Sequence, residues 1–294
     1  TCKLGGRAEN DTIELRADAV ILAEGVNAFL TKSAGLSKGL APHNVSLYVK
    51  ETFALPAATI EERFNLEPGE GAIIGMIGQP LAGMLGRAVL FTNAESISLM
   101  AGGSLEQFIK KGISPRLLLE HVKKHPLVRR FLAGSESLEY SAHLYPSGGY
   151  RAMPVLFGDG VLVCGDAAML TSGRRGSDYA MLSGKLAAET LINAKAKGDF
   201  SRRILSSYRS RMDASFMLRE LKAEQGVPSY YEHHSDADAL LSKVMVDSAY
   251  EYFTEDLEAD QDKFQRILST FRSSQPLLKS AGDILHAIRS WRFF

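Results

Sequence analysis

The sequence predicts an α/β unit interrupted by an α+β unit built on an antiparallel sheet, with a helical C-terminal region after it. Three observations carry this fold class. Residues 19–24 (AVILAE) and 161–164 (VLVC) are apolar runs without polar alternation, the pattern of strands covered on both faces of a parallel sheet. Between them, from residue 40 to 155, strand-length segments alternate with glycine and proline, as hairpins of an antiparallel sheet do. Beyond Gly198 the pattern is mostly helical with charged faces.

Taken in order, the first strand ends at Gly25, and residues 27–35 read as a short helix closed by glycine. Strand-like segments follow at 45–53, 71–77, 88–92 and 96–100, with helical spacing at 104–111 and 115–125. A turn at Asp159 and Gly160 leads into the second buried strand, which ends at Gly165 and Asp166. A long helix then carries Tyr179, Leu182, Leu186, Leu191 and Ile192 on near-helical spacing to Gly198. The expected division is therefore 1–38 and 156–198 for the α/β unit, 39–155 for the inserted unit and 199–294 for the helical region.

Composition narrows the function. The 294 residues are 45% hydrophobic, enough for one large or two ordinary cores. The 34 Lys and Arg balance the 34 Asp and Glu, so no overall field favours nucleic acid or an acidic membrane. Two cysteines, Cys2 and Cys164, fall short of the four ligands of an iron–sulfur cluster or a Cys-rich zinc site. Cys164 lies in an apolar run and is expected to be a buried, inert thiol. A cytoplasmic setting follows from the lack of a disulfide pattern or a spanning segment. The opening at Thr1, in mid-element, suggests that something upstream is missing.

The most informative segment is Gly165, Asp166, Ala167 and Ala168, followed by Gly173, Arg175, Gly176, Ser177 and Asp178 at the start of the long helix. It sets a carboxylate at the carboxyl end of a strand, glycines that permit close backbone approach, and the free N–H groups of a helix start beside them. Strand ends of open α/β sheets are where ligands bind, and helix starts favour phosphate or a developing anion. An ordinary strand–turn–helix connection accounts for Gly-Asp-Ala alone equally well.

The surrounding residues are more specific. Residues 140–154 (YSAHLYPSGGYRAMP), 158–168 (GDGVLVCGDAA), 180–190 (AMLSGKLAAET) and 20–27 (VILAEGVN) together resemble the electron-transfer-flavoprotein–quinone oxidoreductases. The nearest branch is the bacterial Fix-type flavoproteins, with geranylgeranyl reductases as cousins. The resemblance runs from about residue 19 to 196. It implies a glutathione-reductase-like FAD domain, here incomplete, interrupted by an antiparallel substrate domain. It also implies that Asp166 holds the ribityl or pyrophosphate region of FAD and that Gly165 gives the tight turn. Gly176, Ser177 and Asp178 would offer the helix start near the isoalloxazine, Glu24 and Gly25 would pass near the cofactor, and the turn of Pro146, Gly148, Gly149 and Tyr150 would approach from the substrate side. The implied partners are an electron-transfer flavoprotein, a quinone and a separate ferredoxin-like protein.

Three departures accompany the resemblance. The Gly-x-Gly-x-x-Gly βαβ unit for the adenosine half is not in the sequence, the loop between Ala168 and Gly176 is shorter than in relatives, and two cysteines leave no iron–sulfur domain. Two further functions stay open: a flavin-dependent reductase of isoprenoid or lipid double bonds, and a non-catalytic docking module. An aromatic hydroxylase fits residues 140–154 less well.

Other candidates are weaker. His143 is a proton donor or flavin polariser on one view and a partly buried structural histidine on the other. His233 and His234 lack further ligands at helical spacing for a metal site, and His121 and His125 share a helix with Lys123 and Lys124, which disfavour a cation. No Gly-x-Ser-x-Gly elbow supports hydrolase chemistry. The amphipathic tail 284–294, with the single Trp, suits either a peripheral membrane contact or packing on its own domain.

Overall fold

A computed structural model describes residues 2–5, 12–84, 86–172, 175–227, 230, 246–254, 260–274, 279, 282–283 and 285–286. The chain divides into two compact units, Thr1–Leu40 with Gly148–Glu224 and Ala41–Ser147 with Gln225–Phe294. His233, His234 and all but Leu285 and His286 of the tail lie outside the described residues.

The first unit holds two sheets. Strands β1 (Cys2–Gly5) and β2 (Thr12–Leu15) form an antiparallel ribbon. Strand β3 (Val20–Leu22) runs parallel to β10 (Val161–Val163), with Val20 opposite Val161 and Leu22 opposite Val163. β9 (Phe157–Gly158) completes this sheet antiparallel to β10. Its helices are α1 (Phe29–Ser33), α6 (Ser177–Lys197), α7 (Arg202–Ala214) and α8 (Phe216–Ala223). Helix α6 has Asp178 in its first turn and Lys195 and Lys197 in its last, charges matched to the helix dipole, and it closes on a left-handed Gly198 at its C-cap.

The core of this unit gathers Leu162 and Val163 of β10, Tyr179 and Ala187 of α6, Leu205, Tyr208 and Met212 of α7, and Leu218 of α8. Each fully buried leucine contributes roughly 1.5–3 kcal/mol. The Asp159–Gly160 turn is tied on both sides. The Gly160 N–H donates to the Phe200 carbonyl at 2.9 Å, and Asp159 Oδ1 accepts from the Arg202 N–H at 2.6 Å, capping α7.

One expectation needs correction. β3 is not covered on both faces: Val20 and Ile21 are 41% and 36% exposed. β3 stands at the edge of its sheet, with β10 as its only strand neighbour among the described residues. An apolar run reports the preference for burial, not whether neighbours are there to supply it.

The second unit is a five-stranded antiparallel sheet in the order β5 (Ile73–Met76), β6 (Gly86–Thr92), β7 (Ser96–Ser104), β4 (Val45–Ala54), β8 (Glu136–Pro146). Helices α2 (Ala57–Phe64), α3 (Leu105–Lys111), α4 (Pro115–Lys124) and α5 (Pro126–Phe131) contribute Ile60, Phe108, Leu118, Leu119, Val122 and Val128 to a core with one face of that sheet. The buried Glu51 on that face is paired, Oε2 accepting from Lys123 Nζ at 2.9 Å and Oε1 from Ser137 Oγ at 2.7 Å, so the charge is not left uncompensated. The chain enters and leaves the sheet at neighbouring points: the Ser147 N–H donates to the Asn44 carbonyl at 2.8 Å, and Ser46 Oγ bonds Ser147 Oγ at 3.0 Å.

On the opposite face, Tyr48 lies beside Gly102 in the ladder, and its ring sits 5.2 Å from that of Tyr145. Burial first, and Tyr145 beside it, push the Tyr48 hydroxyl well above its ordinary pKa. Gly102 is required by close approach. A Cβ there would stand 2.1 Å from the Leu47 carbonyl oxygen and 2.7 Å from Tyr48 Cα. Gly102→Ala is therefore expected to cost about 2 kcal/mol or more, read as a lower urea midpoint; an unchanged midpoint would show that the strands part there freely.

Candidate functional site

The parallel β3–β10 pair brings two strand ends side by side, and the Cys164 N–H donates to the Leu22 carbonyl at 3.1 Å just past the paired residues. Both ends turn on glycines with left-handed backbone, Gly25 at φ 77° and Gly165 at φ 63°. Around Gly25 a built Cβ would meet no atom within 4 Å, so the backbone is open to approach.

The turn after β10 is held from behind. Gly165 is buried, its N–H donates to Ser183 Oγ on α6 at 3.0 Å, and Ser183 Oγ donates to the Ala180 carbonyl at 3.0 Å. Tyr208 of α7 donates its hydroxyl to the Val163 carbonyl at 3.0 Å, and its burial, then the nearby Cys164, push that hydroxyl well above its usual range. Residues 165–168 form one 3-10 turn in which Ala167 and Ala168 are buried and Asp166 is half-buried. Cys164 is a buried free thiol, pushed up by desolvation.

Helix α6 starts at Gly176, which supplies no side-chain cap. Ser177 is exposed at its first position. Asp178 is bound to Arg175, Nε to Oδ2 at 2.7 Å. Partial desolvation raises the Asp178 pKa, but the Arg175 hydrogen bond and charge outweigh it and hold the carboxyl below its ordinary value. Arg175 also reaches Glu220 of α8 with Nη1, at 3.0 and 2.9 Å to the two oxygens. Its guanidinium lies over the rings of Tyr179 and Phe216, at 5.2 and 4.7 Å from their centroids. Ser172 exchanges backbone bonds with Arg175 and donates its hydroxyl to Glu224, the residue that follows α8.

The remaining sequence-derived residues fall in several places. Glu24 turns its carboxylate onto α1, Oε2 accepting from the Leu30 N–H and Oε1 from the Thr31 N–H, each at 2.6 Å. Gly148, Gly149 and Tyr150 belong to the same unit as Gly165 and Asp166, whereas Pro146 and His143 belong to β8 in the other unit. Tyr150 accepts from Arg209 Nη2 at 2.9 Å, and Lys222 Nζ stands 5.4 Å from its ring centroid. Asp213 joins these two cations, at 2.8 Å to Arg209 and 2.9 Å to Lys222. His143 is exposed, which departs from a partly buried structural histidine: β8 is a sheet edge.

Sequence reasoning did not single out Ser183, Tyr208, Glu220 and Glu224. Ser183 lies inside the family-like run 180–190 and could have been found from its place one helical turn after Tyr179; the others leave no local signal. Among the described residues no group of three His, Cys, Asp or Glu is arranged for a metal, and no helix is long and apolar enough to cross a membrane.

Two predictions follow from these contacts. Ser183→Ala orphans the buried Gly165 N–H and is expected to lower stability by about 1–3 kcal/mol, measured by chemical denaturation; no loss would mean that the turn finds another acceptor. Asp213 is held below its ordinary pKa by the Arg209 hydrogen bond, then by Lys222. A carboxyl lowered in the folded state stabilises above its unfolded pKa, about 3.9, and loses that contribution as pH falls through the folded value. Melting temperature is thus expected to fall below about pH 4, with a shallower acid limb in Asp213→Asn; identical acid limbs would remove Asp213 from the balance.

No protein-family model matches the chain. Over 98% of its length the chain is 39% identical to protein FixC of Bradyrhizobium diazoefficiens, covering 67% of that protein. It is 37% identical to protein FixC of Escherichia coli K12 over 78% of the chain and 54% of the relative. A geranylgeranyl bacteriochlorophyll reductase-like protein of Thermoplasma acidophilum has a similar fold, with TM-score 0.63 at 20% identity over 94% of this chain and 64% of that one. The flavin-dependent brominase Bmp2 follows at TM-score 0.56 and 14% identity, over 95% and 59%.

Proposed function

Because the chain belongs to the FixC family of FAD-dependent oxidoreductases, we propose that it serves electron transfer between an electron-transfer flavoprotein and a quinone or ferredoxin-like acceptor, with FAD at the carboxyl ends of β3 and β10. The observation that carries the site is the convergence there of two left-handed glycine turns in one unit, at Gly25 and Gly165. Gly25 presents open backbone, Gly165 lets its turn pack close on α6, and the α6 start at Gly176 adds N–H groups with no capping side chain. Those features fit a phosphate-bearing, planar cofactor.

Bound FAD supplies acceptance of two electrons and their release one at a time, so the protein's work is binding and tuning. Asp166, on the 3-10 turn after β10, accepts hydrogen bonds from ribityl hydroxyls. Gly165, latched by Ser183, fixes where that carboxylate stands. Gly176 and Ser177 offer backbone N–H groups to the ring edge, and Gly148, Gly149 and Tyr150 form the substrate-side turn. The division of the first unit by the inserted antiparallel unit supports a glutathione-reductase-like arrangement of the FAD domain. A reductase of isoprenoid double bonds shares this fold, but 39% identity to a FixC protein against 20% to the reductase-like protein supports the electron-transfer role.

The test is flavin content in protein extended to the full length of its FixC relatives. About one FAD per chain is expected, and Gly165→Val or Asp166→Ala should weaken FAD binding at least about tenfold, a loss of 1.4 kcal/mol. Protein that shows no flavin absorbance after purification or FAD addition would sink the proposal.

A further inference from the structure

We propose that Arg175, Asp178 and Glu220 form a charge-setting brace that positions the loop before α6 and tunes the reduction potential of the cofactor held there. The inference rests on the flavin reading above and adds Glu220, which the strand-end motifs do not contain. Ser172, Arg175 and Gly176 lie in the chain between the Gly165–Asp166 turn and the start of α6, the two elements that reading places against FAD. Ser172 and Arg175 exchange backbone bonds. Arg175 bonds Glu220 of α8 twice through Nη1, and Ser172 bonds Glu224, the residue that follows α8. The Tyr179 hydroxyl donates to the same Glu220 carboxylate. Partners more than forty residues downstream in sequence thus hold Ser172 and Arg175.

Among the described residues of the brace, the Arg175 guanidinium meets the carboxylates of Asp178 and Glu220, and Glu224 bonds Ser172 nearby. Asp178 further offsets the positive end of the α6 dipole. Each carboxylate disfavours, and the guanidinium favours, the negative charge that two-electron reduction places on a flavin ring, and charge near the ring is one of the levers a protein has on its potential. The brace is partly exposed, with side chains 32%, 44% and 43% accessible for Arg175, Asp178 and Glu220, so water screens it. Removing one unit charge is therefore expected to shift the two-electron equilibrium about two- to tenfold, and tenfold is about 30 mV for a two-electron couple.

The experiment measures reduction potentials of the FAD-loaded, full-length protein and of three variants. Glu220→Gln deletes a negative charge at nearly constant shape and should raise the potential. Arg175→Gln deletes the positive charge and should lower it, while Arg175→Lys, which keeps the charge without the guanidinium fork, should remain within twofold of the parent. A purely structural brace would move both charge-deleting variants in the same direction or in neither, and that result overturns the proposal. If Arg175→Gln loses its flavin, Glu220→Gln and Arg175→Lys still decide: a fall or no change in Glu220→Gln overturns it. A parent protein that takes up no FAD defeats the flavin reading itself, an outcome distinct from loaded variants with unmoved potentials.

Discussion

The parallel pairing of Val20–Leu22 with Val161–Val163 is the constraint on which the first unit turns. It joins segments that the chain separates by the Ala41–Ser147 part of the second unit, and it sets Gly25 and Gly165 at adjacent strand ends. Neither turn is self-sufficient. Gly165 stays in its left-handed conformation with its N–H satisfied by Ser183, and the end of β10 is held by the Tyr208 hydroxyl from α7. The strand ends thus depend on helices packed behind the sheet as much as on the glycine turns themselves.

Around the start of α6 the dominant interactions are ionic rather than apolar. Arg175 gathers Asp178 and Glu220 while its flat guanidinium covers Tyr179 and Phe216. Arginine suits this place because one planar group can bond carboxylates at its edge and stack at its faces, which a lysine cannot do. A similar division of labour recurs at Tyr150, where Arg209 bonds the hydroxyl and Lys222 stands beside the ring, with Asp213 pairing both cations. In both cases α7 or α8 supplies the partners.

The β10–turn–α6 segment was legible in the sequence because every signal in it is local. The apolar run, the glycine turns on either side and the left-handed stop at Gly198 each act within a few residues. β8 was not legible as a strand: as an exposed edge it carries Glu136, Glu139 and the exposed Leu138 and Tyr140, with no buried side to impose alternation. The bonds from Glu220 and Glu224 to residues 45 and 52 positions earlier leave no periodic trace at all. Glu24 shows a different limit. Its position beside Gly25 pointed to a ligand, yet both its oxygens are taken by the start of α1, and sequence alone does not say which of two nearby sets of N–H groups a carboxylate will face.

The bond from the Ser147 N–H to the Asn44 carbonyl, which closes the neck of the second unit, bears on how the chain reaches its native state. Pairing β3 with β10 directly would close a loop of roughly 140 residues, at an entropic cost of about 4 kcal/mol beyond the fixed term. Once β4 and β8 have paired, that excursion shrinks to the short stretches on either side of the neck, and most of the cost is already met within the second unit. The inserted sheet then acts as a scaffold for assembly as well as a domain in its own right. A lesion such as a side chain at Gly102 would in consequence slow the formation of the strand ends at Gly25 and Gly165, which it never touches.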